Sequence, residues 1–135
     1  MASKFVLIGD EDKSSQFAIE KVLLESGIDS ISTSSGKEVL GIYESDPNRW
    51  ALIILSCEVS DIDGYETARA IREFEKSNNI APVNIIGTTD NPDQHFASKT
   101  QVAGMNGSIE KPLDKRQLLD MVSRLFSIRK AASLD

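Results

Sequence analysis

Trp50-Ala-Leu-Ile-Ile-Leu-Ser56-Cys-Glu-Val-Ser-Asp61-Ile-Asp63-Gly64 is the stretch that decides how the rest of the chain is read. An unbroken apolar run, Ala51 to Leu55, stops at Ser56 and passes through a polar loop into Asp63-Gly64. The run is too short for a helix of usual length and does not alternate in polarity, so it predicts a strand covered on both faces. In open α/β sheets chemistry collects where parallel strands end, which directs attention to Ser56 and the loop beyond it.

Upstream of this strand, Phe5-Val-Leu-Ile8 predicts a first strand closed by Gly9 and followed by the acidic group Asp10-Glu11-Asp12. From Lys13 to Ser26 the residues Ala18, Ile19, Val22 and Leu23 recur at helical spacing, and Gly27 supplies a left-handed stop. Ile28 to Thr33 alternates weakly and reads as a polar edge strand. Ser35-Gly-Lys-Glu38 has the form of a capping box and opens a helix with Val39, Leu40 and Tyr43 inward, ended by Asp46-Pro47-Asn48.

Downstream, Asp63-Gly-Tyr-Glu66 starts a third helix in the same way, with Ala68, Ile71 and Phe74 on one face and a break at Asn78-Asn79. Pro82 to Ile86 predicts strand four, and Gly87 to Pro92 a loop whose proline suits the first turn of a helix bearing Phe96, Thr100 and Ala103. Gly104 to Gly107 turns into a very short fifth strand, Ser108-Ile-Glu-Lys111, punctuated by Pro112. Asp114 caps a last helix whose residues Leu118, Met121, Val122, Leu125 and Ile128 form the clearest amphipathic stripe, and Ala131 to Asp135 is expected to fray. Strands alternating with helices imply a doubly wound α/β domain of flavodoxin-like size, with a parallel sheet and helices on both faces.

Bulk properties narrow the function classes. A length of 135 residues suits one domain, expected over residues 1–130. A formal net charge of −6, with Lys and Arg scattered, argues against a nucleic-acid surface. The lone Cys57 leaves no internal disulfide or cysteine-based zinc site and suits a reducing compartment, so a cytoplasmic location is expected. No apolar run approaches the roughly 18 residues of a membrane span.

Taken together, Phe5-Val-Leu-Ile-Gly-Asp10-Glu, Ala51-Leu-Ile-Ile-Leu-Ser56, Asp63-Gly64, Ala103-Gly104 and Lys111-Pro112 resemble the receiver domain of two-component response regulators, over most of the chain. The resemblance implies a five-stranded parallel sheet in the order 2-1-3-4-5 with five helices, and a role in phosphorelay signalling. It also implies a site. In receivers two acidic residues after strand one bind magnesium, an aspartate ending strand three takes a phosphoryl group from a histidine kinase, a Thr or Ser ends strand four, and a lysine contacts the phosphoryl oxygens. A metal and a cation thereby offset charge on the transferring group.

Carried over residue by residue, Asp10 and Lys111-Pro112 match this pattern, while four positions depart from it. Gly9 falls where the first carboxylate would be. Ser56 falls at the acceptor position, both at the end of the apolar run and seven residues before Asp63. Gly87 replaces the strand-four hydroxyl, with Thr88 and Thr89 one and two residues late, and Ser108 replaces an aromatic rotor. A serine offers magnesium one uncharged ligand, and its phosphate ester is far less labile than an acyl phosphate. The expected function is therefore that of a pseudo-receiver, a protein interaction module rather than an enzyme, in which phosphotransfer from a histidine kinase is lost or impaired.

The remaining candidates are weighed beside this reading. Asp10 and Lys111 are expected to form a plain salt bridge. No cofactor is expected; magnesium binding would be weak, with Asp10, Glu11 and Glu58 as its candidates, and Glu58 is read first as a solvated loop charge. The competing reading keeps a magnesium-dependent switch with Asp61 or Glu58 as acceptor. A flavodoxin-like enzyme or nucleotide binder is disfavoured, because Asp10-Glu11-Asp12 would repel phosphate where a Gly-rich loop is needed. Asp12 and Asp63 read as helix caps, Cys57 as a buried filler, His95 as solvated, and Trp50 as the cover of a sheet edge. Lys115, Arg116, Arg124, Arg129 and Lys130 give the last helix a basic face, and the resemblance places protein partners on the helix four to helix five surface.

Overall fold

The computed structural model describes residues 5–133, with side chains to Phe126. The elements are β1 (Phe5–Gly9), α1 (Lys13–Glu25), β2 (Asp29–Thr33), α2 (Gly36–Ser45), a 3-10 turn (Pro47–Arg49), β3 (Trp50–Ser56), α3 (Gly64–Ser77), β4 (Asn84–Thr89), α4 (Phe96–Val102), β5 (Gly107–Glu110) and α5 (Lys115–Ser133). The strands pair in parallel in the order β2-β1-β3-β4-β5.

All of β3 is buried because the sheet is covered on both sides. Alternate residues of β3 serve different layers, since successive strand side chains point to opposite faces. Leu52 and Ile54 join Val6, Ile8, Ile19 and Leu23 under α1 and α5. Ile53 and Leu55 join Leu7, Val39, Ala68 and Ile71 under α2 and α3. A strand with two apolar neighbours has no polar alternation to show, and the sequence run was legible for that reason.

The helix starts follow their capping residues. Asp12 accepts from Ser14 N–H at 2.9 Å, Ser35 from Glu38 N–H at 3.2 Å, Asp63 from Glu66 N–H at 2.8 Å and Asp114 from Gln117 N–H at 3.1 Å. At α2 the box is left half-made, because the Glu38 carboxylate receives the Thr33 hydroxyl at 2.5 Å instead of the cap residue's N–H.

Three expectations need correction. Strand four starts and ends later than Pro82 to Ile86. Proline has no N–H for the ladder, and Val83 N–H is donated to the Glu75 carboxylate at 2.8 Å, so pairing begins at Asn84 opposite Leu52 and runs on to Thr88 opposite Ser56. Pro92 lies in the loop before α4, whose start at Phe96 is prepared by Asp93 accepting from His95 N–H at 2.7 Å. Trp50 covers no sheet edge. It opens the central strand at 2 % exposure, edge-on to Phe5, with the Arg49 guanidinium over both rings. Helix α5 continues to Ser133. Leu134 and Asp135, and the side chains of Ile128, Arg129 and Lys130, lie outside the described residues.

A buried polar network ties the other end of the sheet. The Glu75 carboxylate, in a residue only 3 % exposed, accepts from the Tyr43 hydroxyl at 2.7 Å, Val83 N–H at 2.8 Å and Arg72 Nη1 at 2.8 Å. Arg72 also donates to the Gly104 carbonyl and to Asn106 Oδ1, each at 2.9 Å. The network joins α2, α3, the entry of β4 and the turn into β5.

Candidate functional site

The sheet register brings the C-terminal ends of β1, β3, β4 and β5 side by side, with Gly9 opposite Leu55, Ser56 opposite Thr88, and Thr89 opposite Glu110. Asp10 follows β1 and Lys111 follows β5, so two charges far apart in sequence meet at this edge. Lys111 Nζ lies 2.8 Å from Asp10 Oδ2, with side-chain exposures of 8 % and 3 %. The second Asp10 oxygen accepts from Asp12 N–H at 3.0 Å. Lys111 N–H in turn extends the sheet to the Thr89 carbonyl at 2.7 Å.

Ser56 ends β3 at 3 % exposure, and its Oγ accepts from Glu58 N–H at 3.3 Å. No carboxylate or imidazole is hydrogen-bonded to it among the described residues, so the hydroxyl has no base to activate it. Its neighbour Thr88 is fully buried, with a hydroxyl that has no hydrogen-bond partner among the described residues. Cys57 faces the opposite layer, and burial pushes its thiol up to about 11, well away from the thiolate that reacts.

Gly9 is fixed by packing. A Cβ built there would lie 2.6 Å from Val39 Cγ2 and 3.0 Å from Leu55 Cδ1, both in the fully buried layer under α2. Val39 is β-branched and stiff, so it yields poorly. Gly9→Ala is expected to destabilise the protein by roughly 1–3 kcal/mol through overpacking, and Gly9→Asp by more. Urea unfolding measures both; an alanine variant as stable as the parent would show that the slot can be refilled.

Gly87, assigned above to the strand-four hydroxyl, lies inside β4 and not at its end. A Cβ there would meet Met105 Sδ at 2.4 Å, so a larger residue requires that flexible side chain to move. Because β4 runs on, Thr89 ends it, and the sequence reading that a hydroxyl is missing from the strand end is corrected. The Thr-Thr pair after Ile85-Ile86 carried the signal, since β-branched residues favour continuing a strand. Ser108 is half-buried at the side of an open groove of about 330 Å³, lined also by Phe96, Glu110 and Gln117.

Sequence reasoning missed what two acidic side chains do. Glu58 is exposed, as a loop charge should be, but it is also engaged: Oε2 accepts from the Thr89 hydroxyl at 2.6 Å and Oε1 from Asp90 N–H at 3.1 Å. Asp61 reaches back to the start of α2, taking the Ser35 hydroxyl at 2.5 Å, Gly36 N–H at 2.9 Å and Lys37 N–H at 3.0 Å. These donors, the Ser35 hydroxyl first, hold its carboxyl well below the usual range. Glu11 accepts from Ser60 N–H. Among the described residues no three His, Cys, Asp or Glu side chains are grouped so as to hold a metal ion.

Comparison with known proteins points one way. Residues 6–123 match the family model of the response regulator receiver domain. The two-component response regulator ARR22 of Arabidopsis thaliana is 29 % identical over 122 residues, which cover 90 % of this chain and 82 % of that protein. Ethylene receptor 2 of Oryza sativa subsp. japonica is 28 % identical over 121 residues, but this chain spans only 16 % of its length. Among solved structures, the receiver domain of Ssk1 from Saccharomyces cerevisiae, crystallised with the histidine phosphotransfer protein Ypd1, superposes with a TM-score of 0.87 at 24 % identity, covering 95 % of this chain and 92 % of that one. The receiver domain of sensor histidine kinase PA1611 from Pseudomonas aeruginosa, which holds a magnesium ion in its active-site cleft, gives 0.80 at 26 % identity, covering 93 % and 99 %.

Proposed function

Since the chain belongs to the response regulator receiver domain family of two-component phosphorelay signalling, we propose that it works there as a protein interaction module whose conventional aspartyl phosphorylation is lost or impaired. Ser56 carries this reading. The strand end that presents the acceptor carboxylate in the resemblance bears a buried hydroxyl to which, among the described residues, no base is hydrogen-bonded. Rapid phosphoryl transfer needs a nucleophile held in place, and a serine in this setting is a weak one.

The residues present do not fit the magnesium ion that the family implies. Gly9 contributes no carboxylate, and both Asp10 oxygens already accept hydrogen bonds, one of them from the Lys111 cation. Magnesium favours carboxylate and water oxygens in an octahedron, and a neutral Ser56 supplies little toward one. The competing use of Asp61 or Glu58 as acceptor is disfavoured because each carboxylate is engaged elsewhere, Asp61 by α2 and Glu58 by the end of β4. Output would then depend on protein partners, as the Ssk1 receiver pairs with Ypd1. The groove beside Ser108, between α4 and α5, supports a contact on that face. Among the described residues no helix is long and apolar enough to cross a membrane. A cytoplasmic setting is part of the proposal, resting on the lone cysteine.

The test is two-dimensional amide spectroscopy with magnesium and beryllofluoride, a phosphate mimic. No saturable shifts are expected around Ser56, Thr88, Thr89 and Lys111. Stoichiometric shifts confined to those strand ends would overturn the proposal.

A further inference from the structure

We propose that Glu58 is a built-in latch, an exposed carboxylate of the chain itself that holds the β4–α4 loop in one arrangement without any phosphoryl group. The inference deepens the reading above and rests on Ser56 being no phosphoacceptor.

Two donors converge at the end of β4, the Thr89 hydroxyl and Asp90 N–H, a pair suited to hold one anion. Both are already taken by one carboxylate, at 2.6 Å and 3.1 Å. Thr89 is 2 % exposed while Glu58 is exposed, so the bond is shielded from water on the strand side only. The grip is passed along the loop, since the Thr89 oxygen also accepts from Asn91 N–H at 3.1 Å.

Ser56 positions the latch. Its Oγ accepts from Glu58 N–H, closing a local turn of the kind short hydroxyl side chains make two residues on. Cys57 N–H donates to the Thr88 carbonyl at 2.8 Å, so the backbone just before Glu58 is already tied to β4. The Glu58 side chain then has only the gap to Thr89 to cross. Position 56 therefore has a role in this chain that a hydroxyl fills, different from accepting phosphate.

What the latch controls is α4. That helix is only 7 residues long and has no side-chain cap from His95, its N-cap residue. Short helices are marginal without outside support, so the placement of the preceding loop bears directly on it. A carboxylate bound through two charge-assisted hydrogen bonds supplies such support continuously. The loop and α4 are then held in an anion-engaged arrangement at all times, rather than on arrival of a signal.

Amide hydrogen exchange on the full chain tests this with Glu58→Ala and Glu58→Gln. In Glu58→Ala the Asp90 and Asn91 amides are expected to exchange about tenfold faster, with amide shifts extending through Phe96–Val102 and none in β1 or β2. Glu58→Gln, which keeps an acceptor but loses the charge, is expected to fall between alanine and the parent. Exchange at Asp90 and Asn91 that stays within about twofold of the parent in Glu58→Ala overturns the latch. The exchange is measured without phosphate mimic, so its outcome is independent of the beryllofluoride test. A parent protein that responds to beryllofluoride sinks the acceptor reading, whereas unaltered exchange in Glu58→Ala sinks only the latch.

Discussion

Lys111→Met is expected to lower the stability of the protein by about 3–5 kcal/mol, the range for removing one partner of a buried ion pair. Methionine keeps most of the aliphatic stem, so the loss reports the charge and not a cavity. The Asp10 carboxylate, 3 % exposed, would keep the Asp12 N–H and lose its cation, 2.8 Å away in the parent. The Coulomb attraction of the pair roughly offsets the desolvation of both ions, so the pair as a whole contributes little net stability. Removing half of it leaves the desolvation of the other half uncompensated, and that term dominates. Asp10→Asn combined with Lys111→Met should therefore recover most of what Lys111→Met loses. Urea unfolding reads both as shifts of midpoint at constant slope. A single variant within about 1 kcal/mol of the parent would mean that water reaches Asp10 and that the site is more open than its packing indicates.

Glu75→Ala is expected to have a similar effect, again about 3–5 kcal/mol, for a different reason. The carboxylate accepts three hydrogen bonds, two of them from donors inside the fold, the Tyr43 hydroxyl and Val83 N–H. Each buried donor that loses its acceptor costs about 1–3 kcal/mol, while Arg72, 22 % exposed and bonded to Gly104 and Asn106, can turn partly to water. The Val83 contribution is local and separately visible, because its amide should exchange faster in Glu75→Ala before the protein unfolds globally. Glu75→Gln retains an oxygen acceptor and should lose less than half as much. An alanine variant with unchanged urea midpoint would show that the network is incidental to stability.

The two effects sit at opposite ends of the sheet and share no residue, so they should add when combined. They also differ in legibility. Asp10 and Lys111 could be paired from the sequence, because parallel strands end together and an unpaired lysine at such an edge seeks a carboxylate. Nothing in Arg72 to Asn79 marks Glu75 as a buried acceptor. On the helix it is one charge among several, and only the docking of α3 against Tyr43 and Val83 takes it out of water.

The partners of Glu58 and Asp61 were not legible for a related cause. Both lie exposed in a polar loop, where adjacent residues do not say which groups a carboxylate will meet. Their acceptor oxygens are used by groups 24 to 32 residues away. Loop side chains take their partners from whichever elements the fold brings within reach, and spacing along the chain carries no record of that.

Adjacent residues were enough to read the α/β alternation, the parallel sheet, the helix starts at Asp12, Ser35, Asp63 and Asp114, and the serine at the end of the central strand. Each of these is local, or repeats with the period of a single element, and so leaves a trace in adjacent residues. Tertiary structure alone decided that β4 runs to Thr89, that Val39 leaves Gly9 no space for a side chain, and that Glu58 closes across to the Thr89 hydroxyl. Those outcomes depend on which atoms of separate elements come within about 3 Å of one another, the range in which hydrogen bonding and overlap repulsion act.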